Sequence, residues 1–259
     1  MNSPPGALLR IENLCRSYGG VSAVAGASFE VASGSMTALI GPNGAGKTTA
    51  FDLISGFLRP DQGSILYRER PIGGLAPERI ARLGLVRTFQ LTRVFSVMTV
   101  LENMLVAAQG NSGERLTQVL LRPLHARRGD HAAEARALKL LSRFGLAEKA
   151  HEYGGGLSGG QRKLLELARV LMTEPRLVLL DEPFAGVNPT LKLELLAHIE
   201  EMRDAGVTVL FIEHDMELVM RAAEQVIVMA NGAVVAAGPP REIRQDPRVL
   251  DAYLGTHAT

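Results

Sequence analysis

Met36-Thr37-Ala38-Leu39-Ile40-Gly41-Pro42-Asn43-Gly44-Ala45-Gly46-Lys47-Thr48-Thr49 decides the fold. Its first five residues have the composition of a short buried strand. The segment from Lys47 to about Ser55 is expected to be helical, stopped near Gly56 and Pro60. Between them, Gly41 to Thr48 fits the spacing G-x-x-x-x-G-K-[ST], in the strand-to-helix context that this pattern requires. Glycines allow a backbone to wrap closely around phosphate groups, and the helix N-terminus adds a favourable dipole. Lys47 supplies a point charge for β- and γ-phosphates, and the Thr48 hydroxyl is a candidate Mg²⁺ ligand. Gly41 through Thr49 are the candidate phosphate-binding residues.

Outward from this stretch, the chain alternates apolar strands with helices. Upstream, several short strands are expected, with turns at Gly19-Gly20 and Ser33-Gly34. Gly63 to Tyr67 is a further strand. Downstream, strands at Leu177–Leu180, Val207–Ile212 and Gln225–Met229 alternate with helices at Thr190–Arg203 and Met216–Ala223. That alternation predicts a mostly parallel sheet covered on both faces. From about Leu91 to Gly156 helical periodicity dominates, as in Ala132 to Leu141. The basic stretch from Arg122-Pro123 to Arg128 reads as a solvated connection. After Gly159 a helix places Leu164, Leu167, Ala168 and Leu171 on one face.

Leu177-Val178-Leu179-Leu180-Asp181-Glu182 is an apolar strand ending in two acids. Beside a phosphate loop, Asp181 is placed to hold the Mg²⁺ shell and Glu182 to act as general base on an attacking water. Leu157-Ser158-Gly159-Gly160-Gln161 is the third constellation. Taken with the other two, it resembles the signature of the ABC ATPase family, and the motifs occur in family order over almost the whole chain. The resemblance implies a P-loop NTPase (RecA-like) α/β core with a mostly parallel sheet. An N-terminal antiparallel β sub-domain and an inserted α-helical sub-domain accompany it. The expected boundaries are an ATPase domain over 6–240 (core 6–90 and 162–240, helical sub-domain about 91–161) and a helical tail over 241–259.

The resemblance also implies roles. Tyr18, in Ser17-Tyr18-Gly19-Gly20, resembles the aromatic that stacks on adenine; a strand aromatic packed on the core is its other reading. Gln90 resembles the glutamine that senses Mg²⁺ and the attacking water. His214 resembles the histidine that contacts the γ-phosphate and orients the water and Glu182. Ser158, Gly159, Gly160 and Gln161 would act in trans on ATP held by a second subunit, so a dimer is implied. Where the family commonly carries an aspartate, this chain has Asn188, which keeps a carbonyl acceptor and starts the next helix with Pro189.

The overall look is similar to the ATP-binding subunit of branched-chain amino acid importers. Val86-Arg87-Thr88-Phe89-Gln90, Met98 to Asn103, Glu182 to Pro189, Ile212 to Met216 and the tail Tyr253-Leu254-Gly255 carry this likeness. It implies two permeases, a second ATPase subunit (a heterodimer, with a homodimer as the alternative) and, indirectly, a solute-binding protein. Location would be the cytoplasmic face of the inner membrane, peripheral through the permeases. Importers of urea or other small solutes and the ATPase of lipopolysaccharide export resemble the same segments. Soluble repair ATPases carry long coiled-coil arms for which the segment from Gln90 to Leu157 is too short. A purely regulatory ATP-holding module is disfavoured by Glu182 and His214.

Composition sets outer limits. A net charge of +1 gives no support to a nucleic-acid surface. Cys15 is the single cysteine, so no internal disulfide forms and a reducing compartment fits; Cys15 itself reads as a near-core residue. No apolar run approaches the roughly 20 residues of a membrane span.

Overall fold

The computed structural model describes the backbone of residues 6–88, 94–108 and 123–254. Two compact units emerge: one of Met1–Arg87, Arg176–Gly186 and Leu193–Thr259, the other of Thr88–Pro175 and Val187–Lys192.

The first unit holds two sheets. Strands β1 (Ala7–Tyr18) and β2 (Val21–Ala32) pair antiparallel, and with β4 (Gln62–Tyr67) and β5 (Arg70–Pro71) they form a sheet of order β2-β1-β4-β5. The expected turns are in place, but the several short strands are in fact two long ones. Register shifts explain the difference. In β1 the buried residues fall at Leu9, Ile11 and then Leu14, because the pairing slips between Ile11 and Leu14 and Asn13 sits at φ 47°. A bulge of this kind breaks the period-two alternation without ending the strand.

The second sheet has six strands in the order β10-β9-β3-β8-β7-β6. These are β3 (Met36–Ile40), β6 (Leu85–Arg87), β7 (Leu177–Asp181), β8 (Thr208–Ile212), β9 (Gln225–Ala230) and β10 (Ala233–Gly238). All neighbouring pairs are parallel except β9 with β10. Every residue of β3, β7 and β8 is buried, as expected for strands covered on both faces. Strand β10 escapes the sequence pattern: four of its six residues are alanine or glycine, which carry little strand preference. Helices α1 (Lys47–Ile54), α2 (Pro77–Arg82), α6 (Pro189–Asp204), α7 (Met216–Ala222), α8 (Pro240–Ile243) and α9 (Pro247–Leu254) complete the connections, although α6 begins in the second unit. The core packs Phe51, Leu53 and Ile54 of α1 with Leu39, Leu179 and Leu210 of the parallel sheet and Leu9, Ile11 and Val31 of the antiparallel one.

The second unit is helical, with α3 (Val100–Ala107), α4 (Pro123–Arg143) and α5 (Gly159–Met172). Here one expectation is corrected: the basic stretch is helical from Pro123 onward rather than a connection. Proline is tolerated in a first helical turn, and Leu, Ala and Arg are strong helix formers, so charge alone does not mark a loop. Fully buried Asn103 ties the entry to α3. Its amide oxygen accepts from the Phe95 N–H at 2.8 Å, and its amide nitrogen donates to the carbonyls of Phe95 at 3.0 Å and Thr99 at 2.9 Å. On α5, Leu164, Leu167 and Ala168 are buried as the spacing predicts, whereas Leu171 is only half-buried and the last turn buries Val170 and Met172 instead. Among the described residues no helix is long and apolar enough to cross a membrane.

Candidate functional site

The loop from Gly41 to Gly46 is shaped by close backbone approach. A Cβ on Gly41 would lie 2.0 Å from the Met229 carbonyl oxygen, and one on Gly46 would lie 2.2 Å from the Ala23 carbonyl oxygen. Both glycines also have positive φ, so no other residue fits there without rebuilding the loop. The β9–β10 turn backs the loop: the Gly232 N–H donates to the Ala45 carbonyl at 3.1 Å. Helix α1 then begins with Gly46 as its N-cap and no side-chain cap, leaving first-turn N–H groups available to an anion. Lys47 is nearly buried. Its ammonium donates to the carbonyls of Gly41 at 2.7 Å and Pro42 at 2.9 Å. Burial lowers its pKa, and the nearby carboxylates of Glu182 and Asp181 work against that shift. Thr48 is exposed at the mouth of the loop.

The ends of β7 and β8 supply the other groups. Asp181 lies opposite Ile212 in the parallel register, so Glu182 and His214 follow from adjacent strand ends. His214 Nε2 is 2.8 Å from Glu182 Oε1, as for an imidazole N–H donating to the carboxylate. Glu182 adopts φ 48°, a left-handed conformation that costs an L-residue on the order of 1–2 kcal/mol. Four hydrogen bonds hold it. The Glu182 N–H donates to the Ile212 carbonyl at 3.1 Å, and the Ala185 N–H donates back to the Glu182 carbonyl at 3.1 Å. Buried Glu213 completes the clamp, accepting from the N–H groups of Phe184 at 3.1 Å and His214 at 3.0 Å. The loop carrying Glu182 and the loop carrying His214 are thus joined through one buried carboxylate. Strain held this way at a functional group is a recurrent mark of pre-organisation.

Asp181 is buried, and its two oxygens differ. Oδ2 accepts from Arg87 at 2.9 Å, whereas Oδ1 is buried with no hydrogen-bond partner among the described residues. An orphaned carboxylate oxygen one residue before Glu182, with the exposed Thr48 hydroxyl on α1, matches the hard-oxygen donors that Mg²⁺ takes. Among the described residues no group of three or more His, Cys, Asp or Glu gathers as an all-protein metal cage.

Tyr18 ends β1, about half exposed, with the Arg16 guanidinium carbon 5.1 Å from its ring centre. It is therefore not a core aromatic, and its ring is open to a planar partner. Gln90 lies outside the described residues. In the second unit Leu157 is buried and Ser158 caps α5. The Ser158 hydroxyl accepts from the Gln161 N–H at 3.2 Å, and the Gln161 side-chain oxygen accepts from the Ser158 N–H at 3.0 Å. A Cβ on Gly160 would lie 2.5 Å from Leu191, whereas nothing lies within 4 Å of one on Gly159. The capping box thus holds a helix N-terminus whose first residue is bare to an incoming anion. Asn188 caps α6 by accepting from the Leu191 N–H at 2.9 Å, as the Asn-Pro pair implied.

The profile of the ABC transporter family matches residues 24–185. The chain belongs to the ABC transporter family. It is an ATP-binding cassette, the part of such a transporter that hydrolyses ATP. A second profile, branched-chain amino acid ATP-binding cassette transporter, matches residues 233–259. The high-affinity branched-chain amino acid transport ATP-binding protein LivG of Salmonella typhimurium is 44% identical, over 96% of this chain and 98% of its own. The corresponding BraF protein of Pseudomonas aeruginosa is 42% identical over the same shares. The crystal structure of an ADP-bound cassette from an ABC transporter superposes with a TM-score of 0.82 at 34% identity, covering 96% of this chain and 99% of that one.

Two residues of this ATPase escape a reading of its motifs. Glu213 looks like an acidic turn residue beside His214, yet it is buried and fastens two loops. Arg87 looks like the polar end of a short strand, yet its side chain is 7% exposed and bridges two carboxylates. In both cases the available signal is a charge at the end of a run of apolar strand residues, where only a paired group is tolerated.

Proposed function

We propose that this cassette energises import of branched-chain amino acids, as one of two ATPase subunits beneath two permeases fed by a solute-binding protein. The match of residues 233–259 to the branched-chain amino acid profile carries this reading, because it lies beyond the motifs common to all cassettes. The 42–44% identity to LivG and BraF supports it along nearly the full length. A heterodimer is favoured, at the cytoplasmic face of the membrane. Purification of the complex from membranes, followed by ATP-dependent uptake of labelled leucine, isoleucine or valine into vesicles, tests it. Uptake of an unrelated solute in place of these would overturn the assignment.

In this reading the loop Gly41 to Thr49 cradles the phosphates through backbone N–H groups, and Lys47 answers the charge on the β- and γ-groups. Thr48, Asp181 and Gln90 are the residues that would hold Mg²⁺, which would supply neutralising charge for the phosphate oxygens. Glu182 takes a proton from the attacking water, and His214 holds the Glu182 carboxylate in place. Ser158, Gly159 and Gly160 donate to the γ-phosphate of ATP held by the partner subunit, so loss of that phosphate loosens the dimer. Tyr18 stacks on the base. Tyr18→Ala is expected to raise the ATP dissociation constant by roughly tenfold, about the worth of one stacked base, with little change in maximal turnover. Equilibrium binding of a fluorescent ATP analogue reads this; an unchanged affinity removes Tyr18 from the base site.

The helical sub-domain, about residues 91–161, carries the permease-facing surface. Val97 is 82% exposed and Tyr153 is 65% exposed. They are neighbours, since the Gly155 N–H donates to the Ser96 carbonyl at 3.1 Å and Thr99 bridges to Tyr153. We take this exposed apolar pair as part of the docking surface. Val97→Asp should cut permease co-purification at least roughly tenfold, the cost of burying an unpaired charge, while the isolated subunit still binds ATP normally. Full co-purification of Val97→Asp would place the docking surface elsewhere.

A further inference from the structure

The geometry points to Arg87 as the positioning residue of the metal site: its guanidinium locks the phosphate-loop helix to the strand end that bears Asp181 and dedicates one Asp181 oxygen to the ion. Arg87 closes the edge strand β6, opposite Leu179 of β7 in the parallel register. Its side chain turns inward over Phe51, with the guanidinium carbon 5.7 Å from the ring centre. Nη1 donates to Asp52 Oδ1 on α1 at 2.5 Å and lies 3.3 Å from the Oγ of Ser55, the C-cap of that helix. Nη2 donates to Asp181 Oδ2 at 2.9 Å on β7. A single planar fork therefore spans the two elements that carry the proposed metal ligands, Thr48 on α1 and Asp181 on β7.

Three consequences follow. Because Oδ2 is committed to Arg87, the Asp181 carboxylate cannot rotate freely, and the buried unpartnered Oδ1 is the oxygen left for a cation. Because Asp52 balances the same guanidinium, Arg87 need not take all of the Asp181 charge. Because the fork is rigid and nearly buried, it fixes the spacing of α1 from β7. Groups that orient a ligand in this way, without touching the metal, typically change its affinity by about 10–100-fold when altered.

The sign of the effect separates positioning from simple charge. A cation beside Asp181 repels Mg²⁺, so a role through charge alone predicts that removing Arg87 tightens metal binding. Positioning predicts the reverse. Arg87→Lys isolates the issue, because it keeps the charge and loses the two-armed fork. The measurement is binding of a fluorescent ATP analogue to the full chain, titrated with Mg²⁺ and repeated in EDTA.

For Arg87→Lys the Mg²⁺ concentration giving half of the metal-dependent gain in nucleotide affinity should rise about tenfold, while affinity in EDTA stays within roughly twofold of the parent. Arg87→Met should move the same way. An unchanged or lower Mg²⁺ requirement overturns the inference, and so does an equal loss with and without metal, which would mean a merely structural clamp. Should neither variant fold, Asp52→Ala removes the acceptor on α1 without touching Asp181 and must shift the Mg²⁺ requirement in the same direction. The inference rests on Asp181 as the metal ligand, so Asp181→Asn is run alongside. If Asp181→Asn leaves the Mg²⁺ dependence intact, the metal reading fails; if it abolishes that dependence and the Arg87 and Asp52 variants do not shift it, only the positioning role fails.

Discussion

Glu182→Gln is expected to bind ATP with parental affinity and to lose turnover by roughly 10²–10⁴-fold, the usual contribution of a general base. Glutamine is nearly isosteric with glutamate, and its amide oxygen can still accept from His214 Nε2, now 2.8 Å from Glu182 Oε1. It bears the same cost at φ 48° as glutamate, so the clamp through Ile212, Ala185 and Glu213 is undisturbed and thermal stability should not move. Only proton acceptance is removed. Since ATP then stays intact between subunits, the variant paired with its partner should accumulate as an ATP-bound dimer on gel filtration, where the parent cycles back to separate subunits. Retained turnover would take Glu182 out of the base role. Lost ATP affinity would instead show that the glutamate supports the phosphate site itself.

How much of this site is legible in the sequence follows from how its parts are built. The phosphate loop, the Asp181-Glu182 pair and the Ser158 to Gln161 signature are contiguous in the chain, so spacing alone exposes them. The parallel sheet is legible for a related reason: β3, β7 and β8 are buried on both faces and leave largely apolar runs, with one polar residue in each. What stays hidden depends on long-range geometry. Arg87 meets Asp52 and Asp181 only because β6 lies beside β7 and α1 packs against both. Glu213 joins two loops that are 29 residues apart in sequence. The bulged β1 and the Ala-rich β10 blur the local period itself. Contiguous chemistry is therefore visible from the chain, whereas the groups that orient it are not, because orientation is a property of neighbouring strands.

Lys47→Met should lower ATPase activity at least about a hundredfold, the typical cost of losing a charged stabiliser of a phosphoryl group in transfer. Unlike the glutamate variant, it should also weaken ATP binding, because the ammonium answers charge already present on the bound phosphates. Stability is the informative contrast. The Lys47 charge is disfavoured by burial, as its lowered pKa shows, and the carboxylates of Glu182 and Asp181 offset only part of that cost. The folded protein thus holds the ammonium at some expense, in return for a cation ready beside the phosphates. Methionine fills a similar volume without the charge, so its melting temperature should equal or exceed the parental value, at most by the roughly 2–4 °C that 1 kcal/mol gives at this size. The loss of the ammonium bonds to the Gly41 and Pro42 carbonyls works in the opposite direction and keeps the gain small. An active Lys47→Met, or one that unfolds well below the parent, would mean that Lys47 is a structural strut of the loop. An inactive but fully stable variant would establish that its charge is kept for the nucleotide and not for the fold.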